Sequence, residues 1–232
     1  MRITVVGASG LIGTKVVELL KSQDHDVFAA SRSSSVDVLT GEGLADALAG
    51  ADALVDVTNS PAFEADAVMD FFTRAAGNLV EAARAAGVDH YVLLSIVGVD
   101  GLPDSGYFRA KVAQERIITD SGMLYSIVRA TQFAEFTDAI TESLTVGDEV
   151  RVPDALIQPI PADEVAAAVA SVAAGAPING MVNIGGPMKI TFEQMARESL
   201  ARKGGGTRTV VVDPEARYFG AVLEPGSLVV TD

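Results

Sequence analysis

Tyr107-Phe108-Arg109-Ala110-Lys111 sets a phenol and an ammonium four residues apart. On a helix, positions i and i+4 share a face. An ammonium beside a phenol favours the phenolate and lowers the phenol's pKa. A helix beginning near Asp104 or Ser105 adds its positive dipole end beside Tyr107. The pair reads as a proton donor, Tyr107, assisted electrostatically by Lys111, and suits a carbonyl undergoing reduction. Upstream, Ser95 closes the apolar run Tyr91-Val92-Leu93-Leu94. Ligands of open α/β sheets sit beyond the carboxyl ends of strands, where a serine hydroxyl can hydrogen-bond a carbonyl oxygen.

Such groups need a scaffold and a source of reducing power. The start of the chain offers both. Arg2-Ile3-Thr4-Val5-Val6 is a strand-like run, and Gly7, Gly10 and Gly13 follow at G-x-x-G-x-x-G spacing. Leu11-Ile12, Val16-Val17 and Leu20 then repeat at helical intervals. Strand, glycine turn and helix in that order are the context a dinucleotide-binding motif requires. Gly7 permits the tight turn, Gly10 lets the backbone approach a pyrophosphate, and Gly13 lets helix pack on strand. Ser9, Leu11 and Ile12 line the turn and the helix start, whose free N–H groups and dipole favour phosphate.

The second strand, 26–30, runs into Ser31-Arg32. An NAD-preferring fold carries an acidic residue there for the ribose 2′-OH. A hydroxyl and a guanidinium suit a 2′-phosphate instead. The expected cofactor is NADP(H) in preference to NAD(H).

Strand-like runs fall near 2–6, 26–30, 36–39, 53–57, 91–95 and 124–129. Helical patterns fall near 11–22, 43–49, 65–86, 105–121, 133–143, 163–174 and 191–202. The alternation predicts βαβ units and a doubly wound, mostly parallel Rossmann-like sheet. Only about five residues precede the run at 36–39, whereas a helical crossover needs about a dozen; a very short strand is expected there. Past 145 short strand signals (149–152, 181–184, 209–212) mix with prolines, and Gly204-Gly205-Gly206 marks a turn. The chain is expected to be one domain, a cofactor-binding core over 1–145 and a smaller substrate-side lobe over 146–232. Asp163-Glu164 reads as a helix N-cap. The abrupt end at 228–232 is expected either of a clipped chain or of a disordered tail left out.

Composition excludes several classes. The 232 residues include no cysteine, so disulfides, thiolate metal sites and cysteine nucleophiles are ruled out. His25 and His90 stand far apart, and no metal site is expected. A net charge of −14 argues against nucleic-acid binding. No apolar tract is long enough to span a bilayer, and the first residues already form a core strand. A cytoplasmic protein with a small-molecule substrate and no membrane partner is expected, as a monomer or homodimer.

The glycine spacing, Ser95, and Tyr107 with Lys111 resemble the short-chain dehydrogenase/reductase superfamily. Ser31-Arg32, Ser95-Ile96-Val97-Gly98, Val57-Thr58-Asn59-Ser60-Pro61 and Val128-Arg129-Ala130-Thr131-Gln132-Phe133 are similar to its atypical, NmrA-like NAD(P)H-binding branch. The resemblance implies that Lys111 also holds the nicotinamide ribose and that Thr58 and Asn59 line the cofactor cleft. It implies that Asn78 supports the catalytic lysine through water, and that Gln132 and Phe133 face nicotinamide and substrate. The implied function is NADPH-dependent reduction of a small carbonyl or quinone-like compound. The alternative is a non-catalytic NADP(H)-binding redox sensor, since some atypical members bind the cofactor without turnover.

Overall fold

A computed structural model describes residues 1–204 and 208–231. Five strands alternate with four helices in the first part of the chain. They are β1 (Arg2–Val6), α1 (Leu11–Ser22), β2 (Asp26–Ala30), α2 (Leu44–Leu48), β3 (Ala53–Asp56), α3 (Ala65–Ala86), β4 (His90–Ile96), α4 (Gly106–Thr119) and β5 (Tyr125–Ala130). After α5 (Thr137–Ser143) come three short strands, β6 (Thr145–Val146), β7 (Glu149–Val152) and β8 (Leu156–Ile157). The chain then returns to the main sheet through α6 (Ala162–Ala173) and β9 (Gly180–Ile184). The order across this sheet is β2-β1-β3-β4-β5-β9, with every pairing parallel. Because β2 lies on one side of β1 and β3 on the other, the winding reverses beside β1. That switch point is where a doubly wound sheet opens a ligand crevice.

Both faces of the sheet are covered, so its inner strands are apolar throughout. Ile3, Val5, Val55, Val92 and Val128 pack with α1 and α6 through Val16, Leu20, Val165 and Val169. On the other face Leu54, Leu93 and Ile127 pack with Leu79, Ala83 and Ile118 of α3 and α4. Each fully buried aliphatic side chain contributes about 1.5–3 kcal/mol.

The sixth strand is β9, and residues 36–39 form no strand. Too few residues separate them from β2 for a parallel crossover. The Asp37 carboxylate instead accepts from the Leu39 and Thr40 N–H groups at 2.7 and 3.4 Å, closing a turn. Only the apolar tendency of the run survives, in buried Val36.

A second core lies above the carboxyl ends of the strands. It joins Val99, Phe108, Ile140, Val150, Ile157, Phe192 and Leu228. Here β10 (Ile190–Thr191) pairs with β8, β11 (Thr209–Val212) with β7, and β12 (Arg217–Tyr218) with β13 (Ala221–Val222). Helix α7 (Phe192–Arg202) packs against this group. The chain passes between the two regions more than once, since α6 and β9 belong to the main sheet. The predicted turn at Gly204-Gly205-Gly206 lies outside the described residues from Gly205 on. Asp163 and Glu164 do not cap α6; Pro161 is the N-cap, and both carboxylates sit in the first turn. The Glu135 carboxylate accepts from the Ala162 N–H at 3.0 Å, while Asp163 pairs with Lys15 of α1 at 2.6 Å. No helix among the described residues is long and apolar enough to cross a membrane.

Candidate active site

The three glycines of the first turn do different work. Gly7 has φ +85°, and a Cβ there would lie 2.8 Å from the Val57 carbonyl oxygen. A Cβ on Gly13 would lie 2.2 Å from the Gly7 carbonyl oxygen. Gly7 and Gly13 are therefore required by the fold itself. Gly10 is the N-cap of α1, and a Cβ there meets only the Gly7 oxygen, at 3.3 Å. Ser9, Gly10 and Leu11 are exposed, whereas Ile12 and Gly13 are buried. The open side of the turn thus presents the amino end of α1, where the first N–H groups lack intrahelical acceptors. The cradle fits a pyrophosphate.

Ser31 leads a single 3₁₀ turn, Arg32–Ser34. Its N–H donates to the Ser34 Oγ at 2.9 Å, and its hydroxyl contacts the Ser33 Oγ at 2.7 Å. This fixes the chain at the carboxyl end of β2. Arg32 is exposed, and no described carboxylate pairs with it.

At the carboxyl end of β4, Ser95 is 3% exposed and its Oγ has no hydrogen-bond partner among the described residues. Gln132, just past β5, is equally orphaned at Oε1 and is 8% exposed. A buried polar atom without a partner costs about 1–3 kcal/mol, and such atoms collect at functional sites. Both lie where the sheet places ligands. Phe133 follows Gln132, half-buried, its ring 5.6 Å from that of Phe136.

Ser105 caps α4 by accepting from the Phe108 N–H at 3.2 Å, which sets Tyr107 in the first turn. The Tyr107 hydroxyl donates to the Asn59 Oδ1 at 2.6 Å. Burial pushes its pKa up to about 12 even though the Asn59 bond opposes the rise. This corrects the expected lowering by Lys111. The Lys111 ammonium turns inward, donating to the Gln114 Oε1 at 2.6 Å and the Leu94 carbonyl at 3.0 Å. It also sits 4.6 Å from the Phe72 ring centroid. Tyr107 and Lys111 do share a helix face, with Phe72 against both, but their polar ends point to different partners.

Asn78 is corrected too. Its Nδ2 donates to the Val38 carbonyl at 2.8 Å, pinning the loop after β2, and Lys111 takes its partners elsewhere.

Two residues the sequence reading did not single out organise the site. Asp56 ends β3, fully buried. Its carboxylate accepts from Tyr91 Oη (3.0 Å), Gln114 Nε2 (2.9 Å), Thr58 N (3.0 Å) and Thr58 Oγ1 (2.7 Å). Those four donors satisfy the acceptor positions of a fully buried side chain. Asp56 thereby fixes the Thr58-Asn59 turn that receives Tyr107, and through Gln114 it reaches Lys111. An acid closing the apolar run Ala53-Leu54-Val55 was the available signal. Gln114, one turn past Lys111, offered only helical spacing.

Burial lowers the Lys111 pKa to about 8, against the pull of the Asp56 and Glu115 carboxylates. An unfolded lysine titrates near 10.4. Between these values the unfolded chain binds more protons, so stability rises with pH across that window and the burial cost is fully present below it. Relative to Lys111→Met, the wild type should gain about 2 kcal/mol in urea unfolding between pH 8 and 10. Parallel pH curves for the two proteins would contradict it.

A six-stranded parallel sheet, a glycine turn at its switch point and polar groups at the carboxyl strand ends define a Rossmann-like dinucleotide-binding protein. Residues 33–175 match the family described as NAD(P)H-binding, and the chain belongs to that family. The matched stretch begins after the glycine turn, so turn and family match are separate observations. The chain is 28% identical over 153 residues to a 4-hydroxy-tetrahydrodipicolinate reductase of Natronomonas pharaonis, covering 64% of this chain and 52% of that protein. It is 30% identical over 237 residues to a chloroplastic divinyl chlorophyllide a 8-vinyl-reductase of Oryza sativa subsp. indica, covering 86% and 58%. The chain thus spans about half the length of the curated relatives it matches. The solved triphenylmethane reductase of Citrobacter sp., complexed with NADP(H), superposes with TM-score 0.67 at 22% identity, covering 92% of this chain and 79% of that one. That likeness shows the shared fold.

Proposed function

We propose that the chain reduces a small carbonyl or quinone-like compound with NADPH. The observation that carries this reading is the Ser95 hydroxyl, buried without a partner among the described residues at the carboxyl end of β4, the strand beside β3, whose following loop holds the Tyr107 phenol through Asn59. The reduced dinucleotide supplies a hydride to the carbonyl carbon when bound. Ser95 Oγ donates a hydrogen bond to the carbonyl oxygen and orients it. Tyr107 delivers the proton that turns this oxygen into a hydroxyl, exchanging its Asn59 partner for substrate. A phenol with a pKa near 12 is fully protonated at neutral pH, as a proton donor must be. Thr58 and Asn59 line the cleft, and Gln132 and Phe133 close it from β5. The test is NADPH oxidation against a panel of aldehydes, ketones and quinones. At least one should be turned over, and none being turned over would sink the reading.

Preference for NADP(H) rests on exposed Arg32 beside the Ser31 turn and on the absence of an acid there. Arg32→Ala should weaken NADPH binding about tenfold to a hundredfold, the size of a charge-assisted contact, and leave NADH binding within a few-fold. Fluorescence of bound NADPH reads this directly, because the chain has no tryptophan. Equal losses for both cofactors would remove Arg32 from the 2′-phosphate role.

A second reading, an NADP(H)-binding redox sensor, is favoured by the inward turn of Lys111. Its ammonium bonds Gln114 and Leu94 rather than assisting Tyr107. Tight NADPH binding with no turnover across the panel would select it.

A further inference from the structure

The hairpin Arg217–Val222 turns through Phe219 and Gly220, at φ +49° and +84°. Two consecutive positive φ values at a two-residue hairpin turn are the type I′ pattern, which strongly favours Asn-Gly. Positive φ is a genuine outlier for a bulky side chain. Burial accounts for only part of the side chain: Phe219 packs on Phe108 and Tyr218 yet stays 40% exposed. This turn carries the Phe219 ring against Tyr107, with centroids 5.1 Å apart and planes inclined at 37°. From a separate segment, the loop after β3, Phe63 brings a second ring 6.1 Å from Phe219 and is itself 68% exposed. Thus one exposed ring at a strained turn lies against the phenol that donates the proton, and a second exposed ring extends its apolar surface. A backbone outlier next to reacting groups is a place to look for function.

We propose that Phe219, with Phe63, is the specificity-determining wall of the reduction site and selects planar, conjugated ring carbonyls over aliphatic ones. The inference rests on the reading of Tyr107 as proton donor. A flat conjugated ring inserted against these phenyl faces presents its carbonyl to the Tyr107 hydroxyl and covers apolar surface now open to water. An aliphatic carbonyl gains no ring–ring interaction. Each aromatic face is worth about two- to tenfold in binding beyond area alone.

The experiment compares 1,4-naphthoquinone with 2,3-butanedione on wild type, Phe219→Asn and Phe219→Leu. Asparagine suits the turn, so the hairpin is kept while the ring is removed; leucine keeps bulk without a π face. The quinone-to-diketone ratio of kcat/KM should fall about tenfold in Phe219→Asn and by a smaller factor in Phe219→Leu. An unchanged ratio in whichever variants fold would overturn the proposal. Calorimetric titration of naphthoquinone into NADP-loaded protein separates this failure from that of the reduction reading. Binding to wild type that weakens about tenfold in Phe219→Asn or Phe219→Leu supports the aromatic wall even where nothing is reduced. Equal binding, or none to wild type, overturns it.

Discussion

Tyr107→Phe should lower turnover of an accepted carbonyl by about 10²–10⁴, the usual share of general acid catalysis, and leave NADPH affinity within about twofold. The structure makes this substitution clean. The ring keeps its contacts with Phe72, Phe108 and Phe219. The hydroxyl's partner in the resting protein, Asn59, is exposed, so water can replace the lost bond. The pH dependence gives an independent check. With the phenol at about 12, wild-type turnover should show no loss of the acid form below pH 10. Steady-state rates at saturating NADPH measure both. Wild-type turnover by Tyr107→Phe would assign the proton to water or to another group.

The second large effect separates glycines that serve the fold from the one that serves the ligand. Gly10→Val should still fold, with a modest fall in its unfolding midpoint, because its Cβ meets a single atom, the Gly7 oxygen, at 3.3 Å, a tight contact that an exposed turn can relieve by a small shift. It should lose dinucleotide binding by on the order of a hundredfold or more, since a branched side chain then stands where the pyrophosphate must approach the backbone. Gly13→Val should fail earlier. Its Cβ would lie 2.2 Å from the Gly7 oxygen, inside the packing of α1 on β1, so the variant should be poorly folded and not merely unable to bind. Circular dichroism and NADPH fluorescence on the two variants distinguish the cases. Normal NADPH binding by folded Gly10→Val would place the dinucleotide elsewhere.

The legible features were those governed by local rules. The strand, glycine turn and helix over 2–22, the parallel alternation, and Ser105 opening α4 follow from periodicity, backbone sterics and capping, each acting within a few residues. The misread features depended on contacts between distant segments. Val36 to Leu39 has the composition of a strand, but no crossover is available to bring it beside β2. Asn78 lies on the predicted helix, yet its partner is a carbonyl forty residues upstream. Tyr107 and Lys111 share their predicted face, and what spacing could not show is that Gln114 and the Leu94 carbonyl claim the ammonium. Asp56 was hidden for the same reason. A carboxylate in an apolar strand reads as a strand end until Tyr91, Gln114 and Thr58 are seen to donate to it.

The place of β9 has a consequence for the order in which the protein is made. Strand β5 pairs with β4 on one side and β9 on the other, and β9 follows only after α5, the short strands and α6. During synthesis from the amino end, β5 waits about fifty residues for its second partner, roughly 3–10 s at 5–20 residues per second. Through that interval the nascent sheet carries a naked apolar edge, Ile127-Val128, of the kind that pairs with other chains. The excursion that carries the chain out to the upper core and back is therefore also an interval of exposure to aggregation, and it ends when Gly180–Ile184 docks.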